Sequence, residues 1–102
     1  MSDVPAPSLA GLIEPLVAIS IRHLSPETRH KLAADALSVN AYPNEYGGFI
    51  YVGNPRYEIP AEADLAEIFA AAEQARVIWL KVDRDAAIVD GLPVYEDDEE
   101  TP

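Results

Sequence analysis

The chain has 102 residues, 49% of them hydrophobic and 25% charged, with 18 acidic against 7 basic side chains, no cysteine and a formal net charge of −11. That length accommodates one domain around one core, and the balance of apolar and charged residues is that of a chain that folds. The lack of cysteine excludes a disulfide framework, a thiolate metal site and a thiol nucleophile, and the negative field disfavours nucleic acid or an anionic membrane as a direct partner.

In chain order, the proline-bearing start MSDVPAPS (residues 1–8) has no apolar periodicity to bury and reads as a mobile end. No basic segment opens the chain, and no apolar run approaches the roughly 18 residues needed to cross a bilayer, so the expectation is a soluble cytoplasmic protein. The ordered domain is expected from about residue 9 to about 95, followed by an acidic tail over 96–102. Leu16 to Arg22 (LVAISIR), rich in β-branched residues, reads as the first strand. Ser25 supplies an N-cap, Pro26 favours the first helical position and Glu27 suits the positive end of the dipole, so a helix is expected over Pro26 to Leu37. Its apolar side would be Leu32, Ala33, Ala36 and Leu37, with Arg29, His30 and Lys31 towards solvent.

AYPNEYGG reads as a turn leading into a second strand at Phe49, Ile50, Tyr51 and Val52. Pro60, Glu62 and Asp64 open the strongest helix, on which Leu65, Ile68, Phe69 and Ala72 have the spacing of one buried stripe. Val77 to Val82 (VIWLKV), apolar at almost every position, reads as a central third strand. Asp83, Arg84 and Asp85 make a turn into a short fourth strand, Ala87 to Val89, that pairs back as a hairpin. The expected order is β-α-β-α-β-β: an α/β or α+β two-layer sandwich with a mixed sheet of three or four strands and both helices on one face.

Several clusters bear on chemistry. Asp83 and Asp85, with Asp90 nearby, have the oxygen ligands of a magnesium or calcium site, but aspartates at this spacing equally serve a tight turn, the reading adopted here. His23 and His30 are the two histidines, and the sequence places neither beside a nucleophile in any recognised catalytic pattern. No catalytic residue, metal or cofactor is assigned, and the protein is read as not an enzyme. Tyr42, Tyr46, Phe49, Tyr51 and Tyr57 crowd into sixteen residues beside two glycines, which lets the backbone approach something closely; such rings either anchor an interface or pack beneath the sheet.

Thirteen of the eighteen acids lie from Glu58 onward against Arg76, Lys81 and Arg84, so this half carries about ten of the eleven net negative charges. Two readings of that charge stay open: an array of carboxylates that imitates phosphates and docks on a basic surface, or a solvated, solubilising surface. The first names Glu62, Asp64, Glu67, Glu73, Asp83, Asp85, Asp90 and Glu96 as partner-binding residues; the second places binding on the aromatic loop from Tyr42 to Tyr57, chiefly Tyr46 and Tyr51. In the first, the partner is a basic protein or nucleoprotein surface; in the second, the acids serve only solubility.

The segments HLSPE, YPNEYGGFIYV and WLKVDRDAAIVDGLPVYED carry a resemblance, over most of residues 16–97, to a family of small, uncharacterised bacterial proteins associated with plasmids, prophages and other mobile elements. It is most specific at Trp79, Asp83, Asp85, Gly91, Leu92, Pro93, Tyr95 and Glu96. The chain departs from the family pattern at Ala86 and Ala87, where that pattern has Gly-Pro, and at Asp97, where it has tryptophan. The resemblance supplies no activity. The context it implies is a mobile-element product that meets host defences, and hence an inhibitor of a nucleic-acid-handling complex such as CRISPR surveillance or restriction.

Overall fold

The computed structural model describes residues 10–53 and 57–95. It is an α+β fold with a mixed four-stranded sheet and two helices. The elements are β1 (Leu16–Ser20), α1 (Pro26–Ala33), β2 (Ala41–Asn44), β3 (Gly47–Tyr51), α2 (Ala63–Gln74) and β4 (Trp79–Asp83), with short 3-10 turns at Ala10–Leu12 and Ile21–His23. The sheet order is β1-β4-β3-β2; β1 and β4 are parallel, and the other neighbours are antiparallel.

The central position of β4 is as the sequence suggests, but the strand is buried on one face only. Leu80 and Val82 are sealed, while Trp79, Lys81 and Asp83 are half-buried on the other side. Ile19 of β1 and Ile50 of β3 extend the sealed face, and it is covered by Leu32 of α1 and by Leu65, Ile68, Phe69 and Ala72 of α2. The stripe expected on α2 is the stripe that is buried. Phe69, with no exposed surface, contributes about 2–3 kcal/mol from that burial alone.

Both helices end by backbone bonds that their sequences do not advertise. In α1, Asp35 N–H donates to the Leu32 carbonyl at 3.0 Å and Ala36 N–H to the Lys31 carbonyl at 2.7 Å, around a left-handed Asp35 (φ 58°). In α2, Arg76 N–H donates to Glu73 and Val77 N–H to Ala72, around a left-handed Arg76 (φ 61°). These are the two bonds of a Schellman motif, with aspartate and arginine where glycine is usual. Helix α1 therefore stops at Ala33 instead of reaching Leu37, and Ala33 and Ala36 lie in solvent. Its start is as expected: the Ser25 hydroxyl accepts from Thr28 N–H at 3.3 Å, and Pro26 follows. Arg29, expected towards solvent, is half-buried and donates to the carbonyls of Leu24 at 2.8 Å and Tyr95 at 2.9 Å.

The hairpin occupies a different place from the one expected. AYPN is not a turn but the edge strand β2, joined to β3 by Glu45 and Tyr46. Pairing with β3 overrides its weak strand propensity. Conversely, Ala87–Val89 forms no strand: Ser20 N–H reaches the Ala87 carbonyl at 2.9 Å, but Val89 N–H is diverted to the imidazole of His23. His23 is fully buried. Its Nε2 accepts from Val89 N–H at 2.9 Å, so Nδ1 carries the proton and donates to the Pro93 carbonyl at 2.8 Å. This histidine is a buried staple for the segment 87–95, while His30 is exposed on α1.

The two glycines of YGG are explained by the chain itself. A β-carbon on Gly47 would stand 2.0 Å from the Val82 carbonyl oxygen, and one on Gly48 would stand 2.8 Å from the Tyr42 carbonyl oxygen. The close approach that these glycines permit is to β4 and β2, not to a ligand.

Candidate protein-binding face

The helices cover one side of the sheet, and the other side has no layer over it among the described residues. Strand alternation determines which side chains stand there. Cross-strand register places Leu16, Trp79 and Tyr51 in one row, Ala18, Lys81, Phe49 and Tyr42 in the next, and Ser20, Asp83, Gly47 and Asn44 in the last. The rings form a connected platform: Tyr51 stands edge-on to Trp79 at 5.0 Å between centroids, Tyr42 lies 6.1 Å from Trp79, and Tyr57 lies 6.1 Å from Tyr51. Leu16, Tyr42, Phe49 and Trp79 line a shallow apolar hollow of about 320 Å³.

Tyr42 and Tyr57 are 56% and 65% exposed, so these aromatics are not packed beneath the sheet. Residues 49 and 51 share a face because they are two apart, and Tyr42 joins them because it pairs with Phe49. Trp79 was not among the residues singled out for binding. Its signal was the alternation Trp79, Lys81, Asp83 within an otherwise apolar strand.

Carboxylates edge this platform. Glu14 accepts from the Trp79 indole N–H at 2.7 Å. At the other end of the face, Ala18, Tyr46, Lys81, Asp83, Asp85 and Ala86 surround a second shallow depression of about 570 Å³. Tyr46 is held there by the guanidinium of Arg84, 5.5 Å from the ring centroid, and Arg84 also donates to the Glu45 carbonyl at 2.9 Å. The hydrogen bond with the Glu45 carboxylate raises the Tyr46 phenol above its ordinary range, and slight burial and the charges of Asp83 and Asp85 add to this against Arg84.

The remaining acids do not join this edge. Glu62 is 8% exposed; its carboxylate accepts from the Ser38 hydroxyl at 2.6 Å and from Ser38 N–H at 3.1 Å, with the Lys31 ammonium 3.9 Å away. Asp64 accepts from Ser25 N–H at 2.8 Å and from the Thr28 hydroxyl at 2.9 Å, tying the start of α2 to the start of α1. These two carboxylates tie the helical layer together, Glu62 buried and Asp64 half-buried. Glu67 and Glu73 lie on α2, on the opposite side of the sheet from Asp83, and Asp90 is exposed in the segment after β4. Asp64 and Glu67 are near enough to Tyr95 for their charges to add to the effect of burial in raising its phenol above the ordinary range. The Asp83 carboxylate accepts from Asp85 N–H at 2.8 Å, which is the geometry of a tight turn. Glu96 lies outside the described residues.

Among the described residues the carboxylates therefore form no single array: Glu62 is buried, Asp64 is bonded between the helix starts, Glu14, Asp83 and Asp85 edge the aromatic face, and Glu67, Glu73 and Asp90 lie away from it. Among the described residues, no three His, Asp or Glu side chains converge as metal ligands, and no helix is long and apolar enough to cross a membrane. The open face of the sheet thus carries rings, a lysine and peripheral carboxylates.

Neither a search of curated proteins nor one of solved structures finds a match to the chain. A family profile matches residues 16–97, a stretch that contains every strand and both helices. The chain belongs to the family described as "Family of unknown function (DUF5983) C-terminal domain".

Proposed function

We propose that this protein is a non-enzymatic binding module of the cytoplasm that engages a basic protein surface through the open face of its sheet. The observation that carries this reading is the contiguous platform of Tyr42 and Tyr57, both exposed, with the half-buried Phe49, Tyr51 and Trp79. Large amphipathic rings anchor interfaces, and their faces attract the cations of arginine and lysine. Glu14, Asp83 and Asp85 at the margins add charge complementarity to such a partner, and the net charge of −11 speeds the encounter.

A second reading is supported by that net charge together with the acidic residues beyond Glu58. In it the protein is a mobile-element product that inhibits a CRISPR or restriction complex by occupying its basic nucleic-acid channel through charge mimicry. The dispersal of Glu67, Glu73 and Asp90 away from Asp83 and Asp85 favours the aromatic face over this reading.

The two separate by experiment. A partner captured from a bacterial lysate at low salt is titrated against Tyr42→Ala with Tyr51→Ala, and against Glu67→Lys with Glu73→Lys. The aromatic reading expects at least a tenfold loss of affinity from the first pair and little from the second. The reverse pattern, with steep salt dependence, belongs to charge mimicry and refutes the aromatic face.

A further inference from the structure

We propose that two copies of this chain pair through the outer edge of β1, antiparallel about Val17, to form one continuous eight-stranded sheet. The inference is independent of which partner the aromatic face takes.

The backbone of β1 determines which of its groups are free. The Pro15 carbonyl accepts from Ile78 N–H at 3.0 Å and Trp79 N–H at 3.1 Å, and Leu16 is registered with Trp79. Residues 15, 17 and 19 therefore turn their backbone groups towards β4, and Leu16, Ala18 and Ser20 turn theirs outward. Ser20 N–H is capped by the Ala87 carbonyl. Leu16 and Ala18 thus present two N–H and two C=O groups with no backbone partner among the described residues. An antiparallel second copy, with Leu16 opposite Ala18 in both directions, satisfies all of them with four hydrogen bonds and sets Val17 against Val17 on the two-fold axis.

The flanks suit the same occupant. On the helical side Val17, 37% exposed, lines an apolar groove of about 160 Å³ with Ala71, Ala75, Val77, Val89 and Leu92. The small exposed side chains of Ala71 and Ala75 let α2 of each copy approach the other. On the open side Leu16, 48% exposed, would lie across Ala18 of the second copy. Residues 15–21, PLVAISI, carry no charge, so like-charged molecules of net charge −11 meet here without placing carboxylates in contact.

The two edges of the sheet contrast. At β2, Asn40 accepts from Tyr51 N–H, so the alternation turns Ala41 and Pro43 outward, and Pro43 has no N–H to offer. Proline and charge are the usual protections of an edge strand, and β1 has neither. Two-fold pairing through β1 leaves both Pro43 edges outside, so the assembly closes at two.

Sedimentation equilibrium of the full chain across the micromolar range, with circular dichroism as a control for folding, tests this. The expected mass is twice that of one chain. Ala18→Pro removes only an outward N–H, and Val17→Lys places a charge on the axis; each is expected to halve the mass while the dichroism spectrum is unchanged. Where Ala18→Pro does not fold, Val17→Lys decides. A wild-type chain of single mass at every concentration overturns the proposal and leaves the edge open to an extended segment of another protein. A dimer that persists in a folded variant overturns it as well.

Discussion

Replacing Gly47 by alanine distinguishes a glycine required by the protein's own backbone from one kept free for a ligand. The added methyl carbon would lie 2.0 Å from the Val82 carbonyl oxygen and 2.8 Å from its carbon, and neither atom is at the end of a flexible side chain. The backbone at Gly47 also has φ +151°, a conformation that other residues rarely adopt. Conformational strain of about 1–3 kcal/mol and overpacking of about 1–3 kcal/mol add to a cost of about 2–6 kcal/mol. A domain of this size has about 5–10 kcal/mol in total, so the variant loses a large share of it and its melting temperature falls by about 8 °C or more. Urea titration followed by fluorescence of the single tryptophan, Trp79, measures the loss. Gly11→Ala, with nothing within 4 Å of its new carbon, is the control and should lie within about 0.5 kcal/mol of the parent. A Gly47→Ala protein of parental stability that loses partner binding would refute the backbone argument and return this glycine to the binding site.

Three other outcomes follow from the buried polar groups and the helix ends. His23→Leu removes both bonds of the staple, orphaning Val89 N–H and the Pro93 carbonyl, and should cost about 2–4 kcal/mol, with limited proteolysis moving into residues 87–95. Burial acts to raise the Glu62 carboxyl, but the Ser38 bonds and the Lys31 charge outweigh it and leave its pKa below the ordinary glutamate range. A depressed folded pKa gives stability that is present above the unfolded value and lost as pH falls through the folded one. Glu62→Gln should therefore cost about 1–3 kcal/mol at neutral pH, by urea titration, and that gap should close below about pH 4. Arg76→Gly relieves a left-handed backbone and should raise stability by about 0.5–1 kcal/mol despite the greater freedom of the unfolded chain, visible as a higher melting temperature.

What the sequence alone determined was local. Ser25-Pro26 specified the start of α1 because a cap needs only three neighbouring residues, and Leu65, Ile68, Phe69 and Ala72 specified the buried stripe of α2 because periodicity is a property of one segment. The two-layer α+β class followed from those helices and from β-branched runs. Tertiary structure decided what depends on distant partners. AYPN became a strand because β3 lies beside it, and Ala87–Val89 failed to become one because His23, more than sixty residues away, takes the Val89 N–H. The ends of both helices were hidden because Asp35 and Arg76 stand where glycine would have marked them. The sign of the charge was in the sequence, but its distribution was not: Glu62 and Asp64 are spent on Ser38, Ser25 and Thr28, and no spacing rule identifies those partners. The aromatic face was half visible, as rings at alternate positions. That they stand uncovered and gather around Trp79 was decided by cross-strand register and by both helices packing on the other side, since register is set by pairing between segments that sequence order keeps apart.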